Sequence, residues 1–308
     1  MPQFSQSPEP RFKRSDYLST RKKNNLWGWA FVIPSFLLLL VFIAFPIVRS
    51  FYLSLTDYNV LKPPSFVGIK NYISAFNDTF VQASFRNTFQ YVLTTVPLQT
   101  ILSMIIAAVI AMKFQNRYGR FVKGSLFVPV ISSSVLVGTL FTLLFNSTGG
   151  VVNSILGVFG ISPVNWLGQK STALTTVCIA TIWKNVGYFL VIFYAGIMDI
   201  PISYYEAAEV DGASKVQQFF HITLPCLRSI TYLVVTLGII WSFQAFDMVY
   251  AMTKGGPGKA TYTMVYTIYN AAFREYRMGY ACAVALVLFV FILVVNNIQK
   301  LFLGREEK

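Results

Sequence analysis

The chain has 308 residues, 55% of them hydrophobic and 12% charged, with a formal net charge of +13 and a mean hydropathy of +0.57. An ordinary soluble domain carries about 25% charged residues, so this balance excludes a water-soluble globular protein and points to repeated membrane crossings. In a soluble chain the positive excess would suggest nucleic acid; here it reflects basic flanks against anionic membrane lipid, and no nucleic-acid partner is expected.

Residues 1–25 are polar and end in RKKNN, the composition of a cytoplasmic tail that stops at a membrane surface. A spanning helix needs about 20 apolar residues, since a bilayer core is about 30 Å thick and each residue rises about 1.5 Å. Five windows free of charge approach or exceed that length: Leu26–Val48, Thr88–Met112, Ser125–Phe145, Ser229–Phe246 and Tyr280–Gln299. A sixth, Ala173–Met198, carries a single charge, Lys184. Basic residues precede the first block as in a signal peptide, but the block is too long and lacks a small-residue cleavage pattern, so it reads as a retained span. Pro97 and Pro129 fall inside two windows, which a membrane bundle tolerates when neighbours satisfy the freed carbonyls. The expectation is an all-α membrane protein: six transmembrane helices over residues 26–303 and a short cytoplasmic tail at 304–308.

Six spans put both termini on one side, where the compartments hold fifteen basic residues against nine on the other. The positive-inside rule then places the termini in the cytoplasm, although Lys254, Lys259, Arg274 and Arg277 count against it. The first outer loop contains KPPSFVG and a possible short helix around Tyr72–Phe76; the second, NSTGGVVNSILGVFGISPVNWLG, contains a short apolar segment suited to lie along the interface. In the third, a GGPG turn precedes Tyr262, Tyr266, Tyr269, Phe273 and Tyr276 at three- and four-residue spacing. That spacing predicts an aromatic helical face, either an interfacial belt or a surface for a partner or substrate. Cys178, Cys226 and Cys282 lie within or beside spans without metal-type spacing and read as small apolar residues.

The stretch YYEAAEVDGASKVQQFFHITLPCLRS departs from this pattern, with three of the twelve acidic residues inside six positions. Ser203 stands three residues before Glu206, the spacing of a capping box, which predicts a helix beginning near Tyr204. Gly212 then interrupts the pattern, a second short helix runs through Val216, Phe219 and Phe220, and Pro225 marks the entry to the fifth span. The region 199–228 is thus expected to hold two short helices joined at a glycine elbow. As an ordinary amphipathic connector it would only cover the inner ends of the bundle. Its alanines argue for a facing groove that approaches closely, since a helix floating on lipid would carry bulkier apolar groups.

The residues Glu206, Ala207, Ala208, Gly212, Ile222, Leu224 and Pro225 match every fixed position of the cytoplasmic EAA-loop signature of permease subunits of binding-protein-dependent ABC importers. WKNVGYFLVIFYAGIMDIPISYYEAAEVDGAS and FDMVYAMTKGGPGKATYTMVYTIY further resemble the carbohydrate-uptake branch, the maltose-transporter type. The resemblance runs from about Leu26 to the end. It implies a type I ABC importer permease (MetI-like) fold in the cytoplasmic membrane of a prokaryote, a second homologous permease subunit, two ATPase subunits and an extracytoplasmic solute-binding protein. It also implies that Tyr205, Glu206, Ala207, Ala208, Asp211 and Gly212 dock on an ATPase. No cofactor is expected in this chain, ATP and Mg belonging to the ATPase partners. Against family members with extra N-terminal spans and a large extracytoplasmic insertion, this chain has one span and a loop of about forty residues there.

Intramembrane polar residues are costly unless they face protein or water. Lys184, with Asn185 and Tyr188 beside it, is a candidate for the substrate path, with a structural pairing of Lys184 as the alternative. Trp241, Gln244 and Asp247, at i, i+3 and i+6, are placed on one face of the fifth span, where an aromatic plate beside hydrogen-bonding groups suits a sugar ring; packing against another span is equally open. The leading reading is a non-catalytic permease subunit of an ABC importer for a sugar or oligosaccharide. Its rivals are an ABC permease for another solute, such as a phosphorylated polyol, and a secondary transporter, which would want carboxylates that the six windows lack. No phosphate loop, metal cluster or nucleophile constellation supports an enzyme, and His221 is the single histidine.

Overall fold

The computed structural model describes residues 28–114 and 116–303; the expected tails at 1–25 and 304–308 lie outside the described residues. The chain forms two units, Met1–Tyr52 and Leu53–Lys308. The described part of the first is an apolar helix, α1, Gly28–Ser54, which runs two residues past the unit boundary. It contains a π-helical turn at Leu40–Ala44. Pro46 lies two residues beyond it: it has no N–H to offer the Phe42 carbonyl and its ring crowds that oxygen, and a widened turn relieves both problems.

The second unit opens with a minimal antiparallel pair, β1 (Thr56–Asp57) and β2 (Ser65–Phe66), with Thr56 opposite Phe66. Next comes α2, Lys70–Asn77, which contains the short helix expected around Tyr72–Phe76. Asn71, in its first turn, ties it to the Ser54–Thr56 segment, donating through Nδ2 to the carbonyls of Ser54 and Thr56 at 2.9 Å each.

The bundle is built on α3 (Thr79–Lys113) and α7 (Ala173–Met198), its most extensively packed pair. At 35 residues α3 is about 52 Å long, well beyond the span expected over Thr88–Met112. Asp78 caps it by accepting from the Phe80 N–H at 2.7 Å. Small residues let the two helices approach: Ser103, Ala107, Val177 and Ala180 are fully buried. In lipid, where tails are as apolar as leucine, such close packing replaces the hydrophobic drive. Pro97 leaves α3 unbroken, as expected.

Pro129 behaves differently. The expected span Ser125–Phe145 is two helices, α4 (Arg117–Ile131) and α5 (Ser134–Leu144), bent by 101°. Ser132 and Ser133 take extended backbone angles, and the Ser132 hydroxyl donates to the Val128 carbonyl at 3.0 Å. A proline that removes one ladder bond, followed three residues later by a serine that competes for the Val128 carbonyl, coincides with the helix end here.

A short α6, Val151–Val158, occupies the segment expected at the interface. After α7 come α8 (Ile202–Val210), α9 (Lys215–Cys226, with a π turn at Phe219–Thr223 ahead of Pro225) and α10 (Arg228–Phe243). The fifth span therefore does not run straight through Ser229–Phe246. It breaks at Gln244, the C-cap of α10, and resumes as α11, Asp247–Met252.

The expected continuous aromatic face is also corrected. α12 covers Met264–Tyr269 and widens into a π turn at Asn270–Arg274, so Tyr262 precedes the helix and Tyr276 follows it at φ +56°. Tyr266 is buried, with its hydroxyl donating to the Lys254 carbonyl at 2.7 Å, and belongs to the core. The final helix, α13, is Met278–Leu303. Gly279 is required at its start, because a Cβ there would overlap the Thr56 carbonyl oxygen. Four described helices are long and apolar enough to cross a membrane, and six if each bent pair forms one span.

Candidate functional site: an exposed elbow and a polar cluster within the bundle

The elbow begins with α8, which has no buried residue over its whole length. Ile202, Tyr204 and Val210 are 71%, 54% and 89% exposed, an unusual outlay of apolar surface for so short a helix. A cavity of about 370 Å³ separates it from the ends of α3 and α7, lined by Ala111, Met112 and Ile197 on one side and Tyr205, Glu206 and Glu209 on the other.

The expected capping box at Ser203 and Glu206 is absent. α8 starts two residues earlier, with Pro201 at its N-cap and no side-chain cap, so Ser203 is already inside the helix. Pro201 presets φ at −56° and directs the chain into the helix without a hydroxyl cap. A capping box does exist in the second half of the elbow: Ser214 accepts from the Gln217 N–H, and the Gln217 side chain accepts from the Ser214 N–H at 2.7 Å.

Gly212 makes the elbow as expected, at φ +77°, where an L side chain is strained although the space around it is open. Three contacts fix its angle. Glu209 and Lys215 pair across the glycine, and the donated hydrogen bond and charge of Lys215 hold the Glu209 carboxyl below the usual carboxylate range. The Tyr205 hydroxyl meets Thr223 Oγ1 at 2.9 Å, and Gln218 Nε2 donates to the Tyr205 carbonyl at 3.5 Å. Among the predicted docking residues, Glu206, Ala207, Asp211 and Gly212 are exposed and Ala208 is half-buried. Tyr205 is half-buried as well and is turned back towards α9, where it braces the elbow.

The second set of residues gathers on α7. Lys184 Nζ donates to the Val130 carbonyl at 3.2 Å. That oxygen lies in the last turn of α4, where the 101° bend leaves carbonyls without helical partners, so the ammonium caps a broken helix. One turn further along α7, a Cβ on Gly187 would overlap the Leu126 carbonyl oxygen, so this glycine sets the distance at which Lys184 reaches α4. Asp247 is near enough to Lys184 to act on it electrostatically. The Trp241 ring lies 4.9 Å from Tyr188 and 5.5 Å from Phe189.

Trp241 thus packs on α7 through Tyr188 and Phe189, and Asp247 acts on α7 through Lys184. They do not share a helix face, since α10 ends at Phe243 and Gln244 is its exposed C-cap. Asn185 leads to a residue that the sequence reading passed over: Gln99, 1% exposed on α3, whose Oε1 accepts from Asn185 Nδ2 at 3.5 Å. Gln99 stands in an apolar window, and the intramembrane-polar criterion that selected Lys184 would have found it. Among the described residues no group of His, Cys, Asp and Glu could hold a metal ion.

Residues 91–308 match the family described as binding-protein-dependent transport system inner membrane component. The chain is 33% identical over 290 residues to the probable ABC transporter permease protein YurN of Bacillus subtilis, covering 92% of this chain and 99% of that one. It is 32% identical over 287 residues to the trehalose/maltose transport system permease protein MalF of Thermococcus litoralis, covering 90% and 93%. The lactose transport system permease protein LacF of Rhizobium radiobacter is 32% identical over 296 residues, covering 94% and 98%. A chain from the crystal structure of a bacterial ABC transporter involved in import of the acidic polysaccharide alginate superposes with a TM-score of 0.83 at 22% identity, over 95% of this chain and all of that one, which shows the type I ABC importer permease fold. With its spans, its fold and these relatives in agreement, the chain belongs to the binding-protein-dependent transport system inner membrane component family, the multi-pass membrane permeases of ABC transporters.

Proposed function

We propose that the chain is the translocation subunit of an importer for a neutral sugar or oligosaccharide, driven through its elbow by separate ATPase subunits. The observation that carries the drive is α8, a helix without a buried residue, held at a fixed angle by Glu209–Lys215 and Tyr205–Thr223. A helix so exposed is incomplete alone, and a groove on an ATPase supplies the missing face. Glu206, Ala207, Ala208, Asp211 and Gly212 make that contact, while Tyr205 transmits it to α9. Closure of the ATPases then moves the elbow as a lever on α7 and α10, and the bundle alternates between two arrangements. ATP and Mg belong to those partners. The family description implies an extracytoplasmic binding protein that delivers the cargo, and the fold implies a second permease subunit. Both termini face the cytoplasm on the balance of Lys and Arg.

For the cargo, the relatives named for trehalose, maltose and lactose support a saccharide. Trp241 and Tyr188 offer aromatic faces one turn from the half-buried Asn185, a combination that suits the apolar face and hydroxyl rim of a sugar ring. Reconstitution with the ATPase, binding protein and second permease tests both parts. Saccharides are expected to stimulate ATP hydrolysis, and Trp241→Ala to weaken that stimulation about tenfold, a loss of about 1.4 kcal/mol. Stimulation by another solute class, such as a phosphorylated polyol, and by no sugar would remove the carbohydrate reading.

A further inference from the structure

Beside the elbow, a groove of about 480 Å³ runs between the last turns of α3 and the first turns of α9. Ile105, Val109 and Met112 stand at i, i+4 and i+7 on α3 and make one apolar wall; Val216, Phe219 and Phe220 make the other from α9. Ile105, Val109, Val216 and Phe220 are exposed, so the described chain leaves both walls uncovered. The Phe219 and Phe220 rings meet edge to face with centroids 5.2 Å apart, which stiffens the second wall. Met112 and Lys215 divide the groove from the cavity beneath α8, since both line each space.

The charge of the groove is confined to one end. Lys113, the last residue of α3, and Lys215, the first of α9, close it on the elbow side, and none of the described residues that line it is acidic. The Lys113 side chain makes no hydrogen bond or ion pair among the described residues. Lys215 gives one of its three N–H groups to Glu209 and keeps two. From Ile105 to Lys113 the α3 wall rises about 12 Å, against about 15 Å for the hydrocarbon of one membrane leaflet. Lys113 is also the first charged residue after the apolar window Thr88–Met112, so this end stands where hydrocarbon gives way to headgroups. A strand or loop of a partner would bring N–H and C=O groups that these walls cannot meet. A molecule with a negative head and a hydrocarbon tail matches the order of charge and carbon along the groove.

We propose that this groove holds one anionic phospholipid, with its phosphate between Lys113 and Lys215 and an acyl chain along the two walls. The lysines belong to different elements, so the bound lipid ties the elbow to α3. The site does not depend on which cargo the protein carries. Native mass spectrometry of the full chain, released from detergent after titration with phosphatidylglycerol or phosphatidylcholine of equal chain length, tests it. Wild type is expected to retain one phosphatidylglycerol in preference to phosphatidylcholine. Lys113→Gln should weaken phosphatidylglycerol about fivefold, the worth of one cation near an anionic surface, and leave phosphatidylcholine unchanged. Val109 is 44% exposed, so Val109→Trp fills the groove with little risk to folding; it should displace both lipids while the melting temperature holds. Equal retention of the two lipids, or phosphatidylglycerol binding that both variants leave unchanged, means ordinary boundary lipid and overturns the site. Displacement of the lipid by inorganic phosphate alone would reduce the groove to an anion site and remove the acyl chain from it. The same measurement on the transporter assembled with its ATPase and second permease should still find the lipid, and its loss there would make the groove a protein interface instead.

Discussion

The elbow and the α7 polar cluster solve opposite problems with the same few residue types. In the elbow, acids and small residues sit on a helix with no buried side chain, and its rigidity comes from contacts within one stretch of about twenty residues. In the cluster, Lys184, Asn185, Tyr188, Gln99, Trp241 and Asp247 come from α3, α7, α10 and α11, and each partner lies on a different element. In its proposed role as a docking surface for an ATPase, the elbow is held in shape locally and left uncovered outwardly. A polar group inside a bundle must be satisfied by whatever neighbours the fold brings, because an unpaired one has no water to turn to.

This contrast is open to direct attack. The largest effect is expected from Gly187→Leu, whose side chain would displace the α4 backbone at Leu126. Overpacking of this kind costs about 1–3 kcal/mol or more, and the variant should lose both thermal stability in detergent and assembly with its partners. Gly212→Asp adds strain but meets open space, so the protein should still reach the membrane while uptake falls about tenfold or more. Normal transport by that variant, or by Glu206→Lys, would sink the coupling role of the elbow. Lys184→Met should leave the Val130 carbonyl without its cap and lower stability by about 1–3 kcal/mol, with uptake reduced only in proportion to folded protein. A selective loss of uptake at full stability would instead move Lys184 into the substrate path.

The smallest effect belongs to the exposed Glu209–Lys215 pair, which salt screens. Its folded carboxyl titrates below the ordinary value of about 4.3. The pair's contribution is therefore present above that value and lost as pH falls through the lower folded one, so varying pH between 6 and 8 should leave the elbow unchanged. Hydrogen exchange of the Val210–Lys215 amides, expected to rise in Lys215→Ala and at high salt, measures it.

How much of this was legible beforehand differs between the two regions for a physical reason. The glycine elbow and the signature from Glu206 to Pro225 could be read directly, since spacing along one chain carries both. Even there the start of α8 was misread: Ser203 and Glu206 have capping-box spacing, but Pro201 had already turned the chain. Pro97 and Pro129 look alike in the sequence. One sits inside a continuous helix; the other lies two residues before a helix end, where Ser132 and Ser133 turn extended and the Ser132 hydroxyl takes the Val128 carbonyl.

Composition, apolar period and the glycine position by themselves determined that the chain spans a membrane several times and that it bends at Gly212. Those properties depend on solvent and on neighbours a few residues away. Only the tertiary structure decided that Lys184 caps a broken helix and that Gln99 meets Asn185. Each of these joins or faces elements far apart in the chain, and a polar group's role in a low-dielectric interior is set by the partner that packing delivers.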